Sequence, residues 1–245
     1  MDLYDDAFLY DLVHGPIAGA EIVSFLLDYC KVYGSPVLEL ASGTGSILLP
    51  IAEAGIEIRG IDLSENMLQA CRRKAAERGI RAKVTKGDIR DFSLGHRYPL
   101  IIIIGNSFQH LNSLPEISAF FESVKRHLEP DGRLLIEVFN PYIPLLNREM
   151  GIRYVVGEFD GHILTEDVNY DQATQVTNLN WHFLHRTSGR ERSLSFSMRQ
   201  FFPQEFDELI SLHGFEIEDK FGDFDRSPFV SGSPAQLVVA KVRNN

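Results

Sequence analysis

Three acids fall at the ends of three successive predicted strands: Glu39, Asp62 and Asp88. A glycine turn, Ala41-Ser42-Gly43-Thr44-Gly45, follows the first of them. Gly43 and Gly45 accept backbone angles that other residues avoid, and they let a ligand lie against bare main chain. The helix start behind them offers free N–H groups and a positive dipole end. Such a corner suits a small polar molecule that carries both a positive and a negative group. His110, which closes the run Gly105-Asn106-Ser107-Phe108-Gln109-His110, is the best-placed titratable side chain. It is able to take a proton from an amine or a hydroxyl. A histidine that only caps its loop is the competing reading.

Strand and helix alternate through about residue 140, which predicts a parallel doubly wound sheet. Residues 16–33 place Ile17, Ile22, Phe25, Leu26 and Tyr29 on one helical face. Strands are expected at Val37–Leu40, Ile56–Asp62, Arg81–Thr85, Pro99–Ile104 and Arg133–Phe139, the last after a Pro130-Asp131-Gly132 turn. Helices are expected over Ser46–Ala54, from an N-cap at Ser64 through Arg78, and over Pro115–Leu128. The rhythm then changes to four β-like runs: Arg153–Glu158, Ile163–Tyr170, Gln175–Leu184 and Arg192–Phe201. Pro203–His213 returns to helix, and Phe215–Phe221 with Gln236–Val242 supply two last strands. The expected fold class is α/β, a Rossmann-like seven-stranded sheet with an antiparallel β insertion. Residues 1–150 and 202–245 form the main domain in this reading, and residues 151–201 form the insertion.

Ligands in open α/β sheets bind outside the carboxyl ends of the strands. A nicotinamide dinucleotide wants G-x-G-x-x-G there, but the third position is Leu48. The three acids describe a ligand rich in donors and positive charge. Asp62 suits a ribose diol, Asp88 an exocyclic adenine amine, and Glu39 an ammonium group. S-adenosylmethionine has all three, with a carboxylate left for the helix start at Gly45-Ser46.

On these residues the chain resembles the class I S-adenosylmethionine-dependent methyltransferases, over residues 30–140 and again 200–242. Glu39–Gly45 resembles that family's first motif, with Ala41 where glycine is usual. Gly60-Ile61-Asp62-Leu63-Ser64 with Met67 resembles the second, and Gly87-Asp88-Ile89 the third. The resemblance implies that Asp62 holds the ribose, and that Leu63 and Met67 flank the adenine, with Asp88 and Ile89 at its edge. Met67 reads equally well as simple core. Asn106 and its neighbours are implied to line the cofactor and acceptor pocket. The N-terminal segment Tyr4–Gly15 resembles the lid of small-molecule members, with Tyr10 as the closing residue and Tyr4 a weaker candidate.

The acceptor is expected to be a small molecule, an amine or a hydroxyl, gripped partly by the insertion. Trp181, Arg199 and Arg226 are its candidate contacts, the arginines for a carboxylate or phosphate. Surface salt bridges are the competing role for both arginines. In an alternating strand Trp181, Phe183 and His185 share one face and His182 lies opposite, which disfavours a metal site. The 34 acids against 24 bases give 245 residues a formal charge of −10, unfavourable for nucleic acid. A hydrophobic fraction of 44% is enough for a real core. Leu100–Ile104 is far too short to span a bilayer. Cys30 and Cys71, with no signal peptide, point to the cytoplasm. A homodimer through the insertion is compatible with its aromatic faces. The rival classes are a binding protein that keeps the cofactor fold without turnover, and a nicotinamide-dependent oxidoreductase.

Overall fold

The computed structural model describes residues 2–15 and 17–243. After a short 3₁₀ turn at Leu3–Asp5, helices α1 (Ala7–His14) and α2 (Ala20–Tyr33) precede the first strand. The helix expected from residue 16 begins at Ala20, with Gly19 as its N-cap. Pro16 lies outside the described residues.

The chain then runs β1 (Val37–Leu40), α3 (Leu48–Glu53), β2 (Ile58–Asp62), α4 (Glu65–Glu77), β3 (Val84–Lys86) and β4 (Tyr98–Ile103). A 3₁₀ turn at Ser107–His110 leads to α5 (Leu114–His127) and β5 (Leu128–Phe139). Ser64 caps α4 as expected, its hydroxyl accepting from the Met67 amide. Ser113 and Glu116 form a capping box at α5. The Pro130-Asp131-Gly132 stretch is absorbed into β5 rather than turning away from it, with the ladder to β4 shifted between Tyr98 and Leu100.

Next come α6 (Ile143–Leu146) and β6 (Tyr154–Phe159), β7 (His162–Asp171), β8 (Val176–His185) and β9 (Glu191–Arg199). The chain closes with α7 (Pro203–Leu212), β10 (Phe215–Phe221) and β11 (Ala235–Val242).

Seven strands form one sheet in the order β10-β11-β5-β4-β1-β2-β3, antiparallel only at β10 and β11. This is the expected Rossmann-like doubly wound sheet. Its strands are apolar on both faces because helices cover both. Leu38, Leu40, Ile101 and Ile103 face one layer with Phe120 and Phe121 of α5 and Phe206 of α7. Val37, Leu100 and Ile102 face the other, with Phe25 and Leu26 of α2. Each such buried side chain contributes about 1.5–3 kcal/mol relative to exposure.

Strands β6-β7-β8-β9 form a separate antiparallel sheet. Its inner face packs Leu164, Trp181, Phe183 and Leu194 on Leu3 and Leu9 of the N-terminal segment. The N-terminal segment is therefore held against the carboxyl ends of β1, β2 and β4. Ser64 Oγ donates to the Tyr4 carbonyl at 2.7 Å, and Asn66 Nδ2 donates to the Asp5 carbonyl at 3.1 Å.

Candidate active site

The turn after β1 is built around one carboxylate. The Gly43 amide donates to Asp62 Oδ2 at 2.8 Å and the Ser64 amide to Oδ1, also at 2.8 Å. These bonds fix the carboxylate at the end of β2, where it lines the cleft. Burial raises its pKa, while the two N–H donors work against that rise. Gly43 (φ 53°) has open space where a Cβ would stand, so ligand can approach its main chain.

Gly45 has a different reason to be glycine. Its φ is 81°, and an added Cβ would sit 2.5 Å from Cys71 Sγ of α4. It is a packing residue that brings α4 against the loop and does not itself line the cleft. Ala41 does line the cleft and carries a φ of 55°, a strained angle for a residue with a Cβ.

Behind the turn, Glu39 is only 4% exposed and its Oε2 has no hydrogen-bond partner. Burial, and then the neighbouring Asp62, lift its pKa well above the ordinary carboxylate range. A second buried acid was not anticipated from sequence. Glu137 of β5 accepts from the Gly105 amide at 2.6 Å and the Asn106 amide at 3.0 Å, and burial raises its pKa as well. Its signal was a lone acid inside the apolar run Leu134-Leu135-Ile136-Glu137-Val138. Asn106 is held by that bond at φ 61°, with its buried Oδ1 unpartnered. Tyr10 faces the same acids. Burial pushes its hydroxyl up to about 12, helped by Asp62, Asp11, Glu39 and Glu137. The result is an electronegative hollow.

The cleft in front of this hollow holds about 570 Å³. Leu63 and Ile89 line it. Asp88 lines it too, but its carboxylate is engaged by Arg90, with Nη2 to Oδ2 at 2.6 Å and Nε to Oδ1 at 2.9 Å. That pairing holds the Asp88 carboxyl below its usual range. Asp88 is thus a guanidinium partner before it is an acceptor for adenine. Met67 is fully buried in α4 and, like Glu39 and Asn106, is not among the lining residues.

His110 lines the cleft in a fixed orientation. Its Nδ1 lies 2.9 Å from the Ser197 carbonyl, so Nδ1 carries the proton. Nε2 then accepts from the Tyr4 hydroxyl. Burial lowers the His110 pKa and raises that of Tyr4, keeping both groups neutral. The expected free base is therefore already occupied, and Tyr4 rather than His110 presents its oxygen at that point.

The other three candidates lie away from the cleft. Trp181 stacks on His14 of α1 with ring centroids 5.6 Å apart, and its Nε1 donates to Glu166 at 3.1 Å. Arg199 pairs with Glu205 at 2.7 Å and covers the Phe201 ring. Arg226 pairs with Asp28 at 3.0 Å over the Phe25 ring. All three hold elements together: Trp181 and Arg226 reach elements distant in sequence, and Arg199 ties the end of β9 to the first turn of α7. His182, on the opposite strand face, is bonded to Asp167 at 2.7 Å and Ser193 at 2.8 Å.

Residues 37–132 match the family described as a methyltransferase domain. Over 142 residues the chain is 28% identical to a cypemycin N-terminal methyltransferase of a Streptomyces species, covering 57% of each. Over 137 residues it is 32% identical to the dTDP-3-amino-3,6-dideoxy-alpha-D-glucopyranose N,N-dimethyltransferase of Streptomyces fradiae, covering 54% of this chain and 52% of that one. The chain spans about half the length of these relatives. The fold is similar to the CcbJ methyltransferase from Streptomyces caelestis, with a TM-score of 0.81 at 24% identity over 93% of this chain and 91% of that one. Ordered motifs, fold and matched domain agree: residues 37–132 carry a methyltransferase domain, and the chain resembles the class I S-adenosylmethionine-dependent methyltransferases.

Proposed function

We propose that the protein transfers a methyl group from S-adenosylmethionine to a small-molecule acceptor, with an amine, including the amine of an amino sugar, ahead of a hydroxyl. The observation that carries this reading is the buried Glu39, whose Oε2 is unpartnered and whose neighbour Asp62 is bonded to the open Gly43. Buried carboxylates without a protein cation suit a ligand that brings its own positive charge. An ammonium and a sulfonium both meet that need, and the donor set fits the cofactor. Asp62 would hold the ribose, Glu39 the ammonium directly or through water, and Leu63 and Ile89 the adenine faces. When bound, S-adenosylmethionine supplies an activated methyl that an acceptor lone pair displaces from sulfur, the C–S bond breaking as the new bond forms.

The chain's own work is to position and to exclude water. Tyr10 sits between the acids and the cleft, and the N-terminal segment covers the opening. Tyr4 can accept a hydrogen bond from the acceptor's N–H while its own proton stays on the His110 side. Phe196 and Ser197 of β9 line the same cleft, which supports an acceptor role for the insertion. The Streptomyces fradiae relative, an N,N-dimethyltransferase by name, supports nitrogen as the acceptor atom.

Among the described residues no helix is long and apolar enough to cross a membrane. A cytoplasmic setting, no nucleic-acid partner and a homodimer through the insertion belong to this proposal. The acidic composition supports the second of these, and exposed Val155 and Val156 on edge strand β6 support the third. A nicotinamide-dependent oxidoreductase is not favoured, since Leu48 is fully buried where that motif needs glycine. A coupled assay for S-adenosylhomocysteine over a panel of small amines and amino sugars tests the reading. Release with an amine acceptor is expected. Tight cofactor binding with no release across the panel would leave only the binding-protein class.

A further inference from the structure

The motif ends of β1, β2 and β3 claim one half of the cleft for the methyl donor. The opposite wall comes from the N-terminal segment, the loop after β4, and β9. Asp2, Tyr4, His110, Leu111, Phe196 and Ser197 form it. Among the described lining residues, no lysine or arginine stands on that wall. The two cations of the cleft, Lys86 and Arg90, lie at the β3 side. Arg90 is already shared between Asp88 and Glu116, at 2.6 Å to each.

The arginines suited to an anionic acceptor are committed elsewhere. Arg199 is bound to Glu205 and Arg226 to Asp28, both outside the cleft. His110 does not become a cation in their place, because Ser197 and Tyr4 occupy both ring nitrogens in the neutral form. What the wall offers instead is rings. Tyr4 and His110 meet edge to face at 5.2 Å, Phe196 lies 6.4 Å from His110, and Tyr10 lies 5.9 Å from Tyr4. Aromatic faces favour cations and apolar bodies. Phosphate is recognised through arginine, lysine or main-chain N–H groups. A diphosphate on this wall would face Asp2 and the buried acids without a partner cation, a like-charge juxtaposition that disfavours binding.

Resting on the methyl-donor reading, we infer that the acceptor is an amine on an apolar or hydroxylated body that carries no phosphate, so that phosphorylated and nucleotide-linked acceptors are rejected by charge.

Two measurements on the full chain decide it. The protein is first saturated with S-adenosylhomocysteine, and this binding is measured by calorimetry. Failure at that step removes the methyl-donor reading and this inference with it. The loaded protein is then titrated with thymidine diphosphate. No saturable binding is expected below about 1 mM, and a dissociation constant of about 100 μM or tighter would overturn the inference while leaving the donor reading intact. In parallel, release of S-adenosylhomocysteine is compared for glucosamine and glucosamine 6-phosphate. Where release occurs, the unphosphorylated amine is expected to be favoured by at least about tenfold in kcat/KM, narrowing at high salt. Preference for the phosphorylated form overturns the inference, and where neither is turned over the diphosphate titration alone decides.

Discussion

Thr44 of the glycine turn donates its hydroxyl hydrogen bond to Asp11 of α1 at 2.6 Å. Asp11 also faces Lys74 of α4 at 3.0 Å, so one carboxylate fastens the N-terminal helix to the turn and to the helix behind it. Tyr10, the residue before Asp11, is thereby held over the electronegative hollow. A double-mutant cycle with Asp11→Asn and Thr44→Val is expected to give a coupling of about 1–2 kcal/mol in denaturant unfolding. The Asp11→Asn protein is also expected to release S-adenosylhomocysteine faster in stopped-flow measurements. Additive effects and an unchanged release rate would show that the bond does not hold the lid.

Glycine at position 45 is demanded by Cys71, and position 41 is the reverse case. Gly45→Ala puts a methyl 2.5 Å from Cys71 Sγ at a φ of 81° and is expected to cost about 2–4 kcal/mol. Adding Cys71→Ala should recover part of that loss. Ala41→Gly relieves a φ of 55° and is expected to be neutral or to stabilise by up to about 1 kcal/mol. Thermal unfolding checks both. A harmless Gly45→Ala or a damaging Ala41→Gly would overturn this account of the turn.

The buried acids should make the ligand-free protein less stable as pH rises. Glu39, Asp62 and Glu137 all have pKa values raised by burial, so the folded state keeps protons that the unfolded state has lost. The decline begins near the ordinary carboxylate value of about 4 and continues until the raised folded values are passed. Glu39→Gln removes one such group and should flatten the fall of Tm above about pH 4. Parallel curves for wild type and variant would contradict the assignment.

His110 should remain neutral where an ordinary histidine would titrate. Burial lowers its pKa, so no rate inflection from this group is expected near its ordinary value of about 6.5. Nitrogen-15 NMR should report the Nδ1–H form at neutral pH. Tyr4→Phe removes the hydroxyl that meets Nε2 and is expected to lower kcat while leaving the KM for the methyl donor within about twofold. A variant that changes only the donor KM would assign Tyr4 to the donor half.

The strand-end acids were legible because their order along the chain mirrors the order of β1, β2 and β3 in the sheet. Ser64 was legible for a local reason, since an N-cap needs only its own helix. Arg226 was not, because its partner Asp28 is 198 residues away and only the packed fold brings them together. Glu137 was hidden by the strand that carries it, whose pairing beside β4 puts the carboxylate under Gly105 and Asn106. Tyr4 outranked Tyr10 at His110 through the tether between Ser64 and the Tyr4 carbonyl, a contact that no spacing rule announces. Met67 is buried in its helix, the core reading that its spacing also offered.

Donor binding at Asp62 carries the account, and calorimetry of S-adenosylhomocysteine with wild type and Asp62→Ala tests it most directly. Wild type is expected to bind in the micromolar range, and the variant at least about tenfold more weakly, a loss of about 1.4 kcal/mol or more. Equal affinity for the two proteins, both still folded, would contradict it.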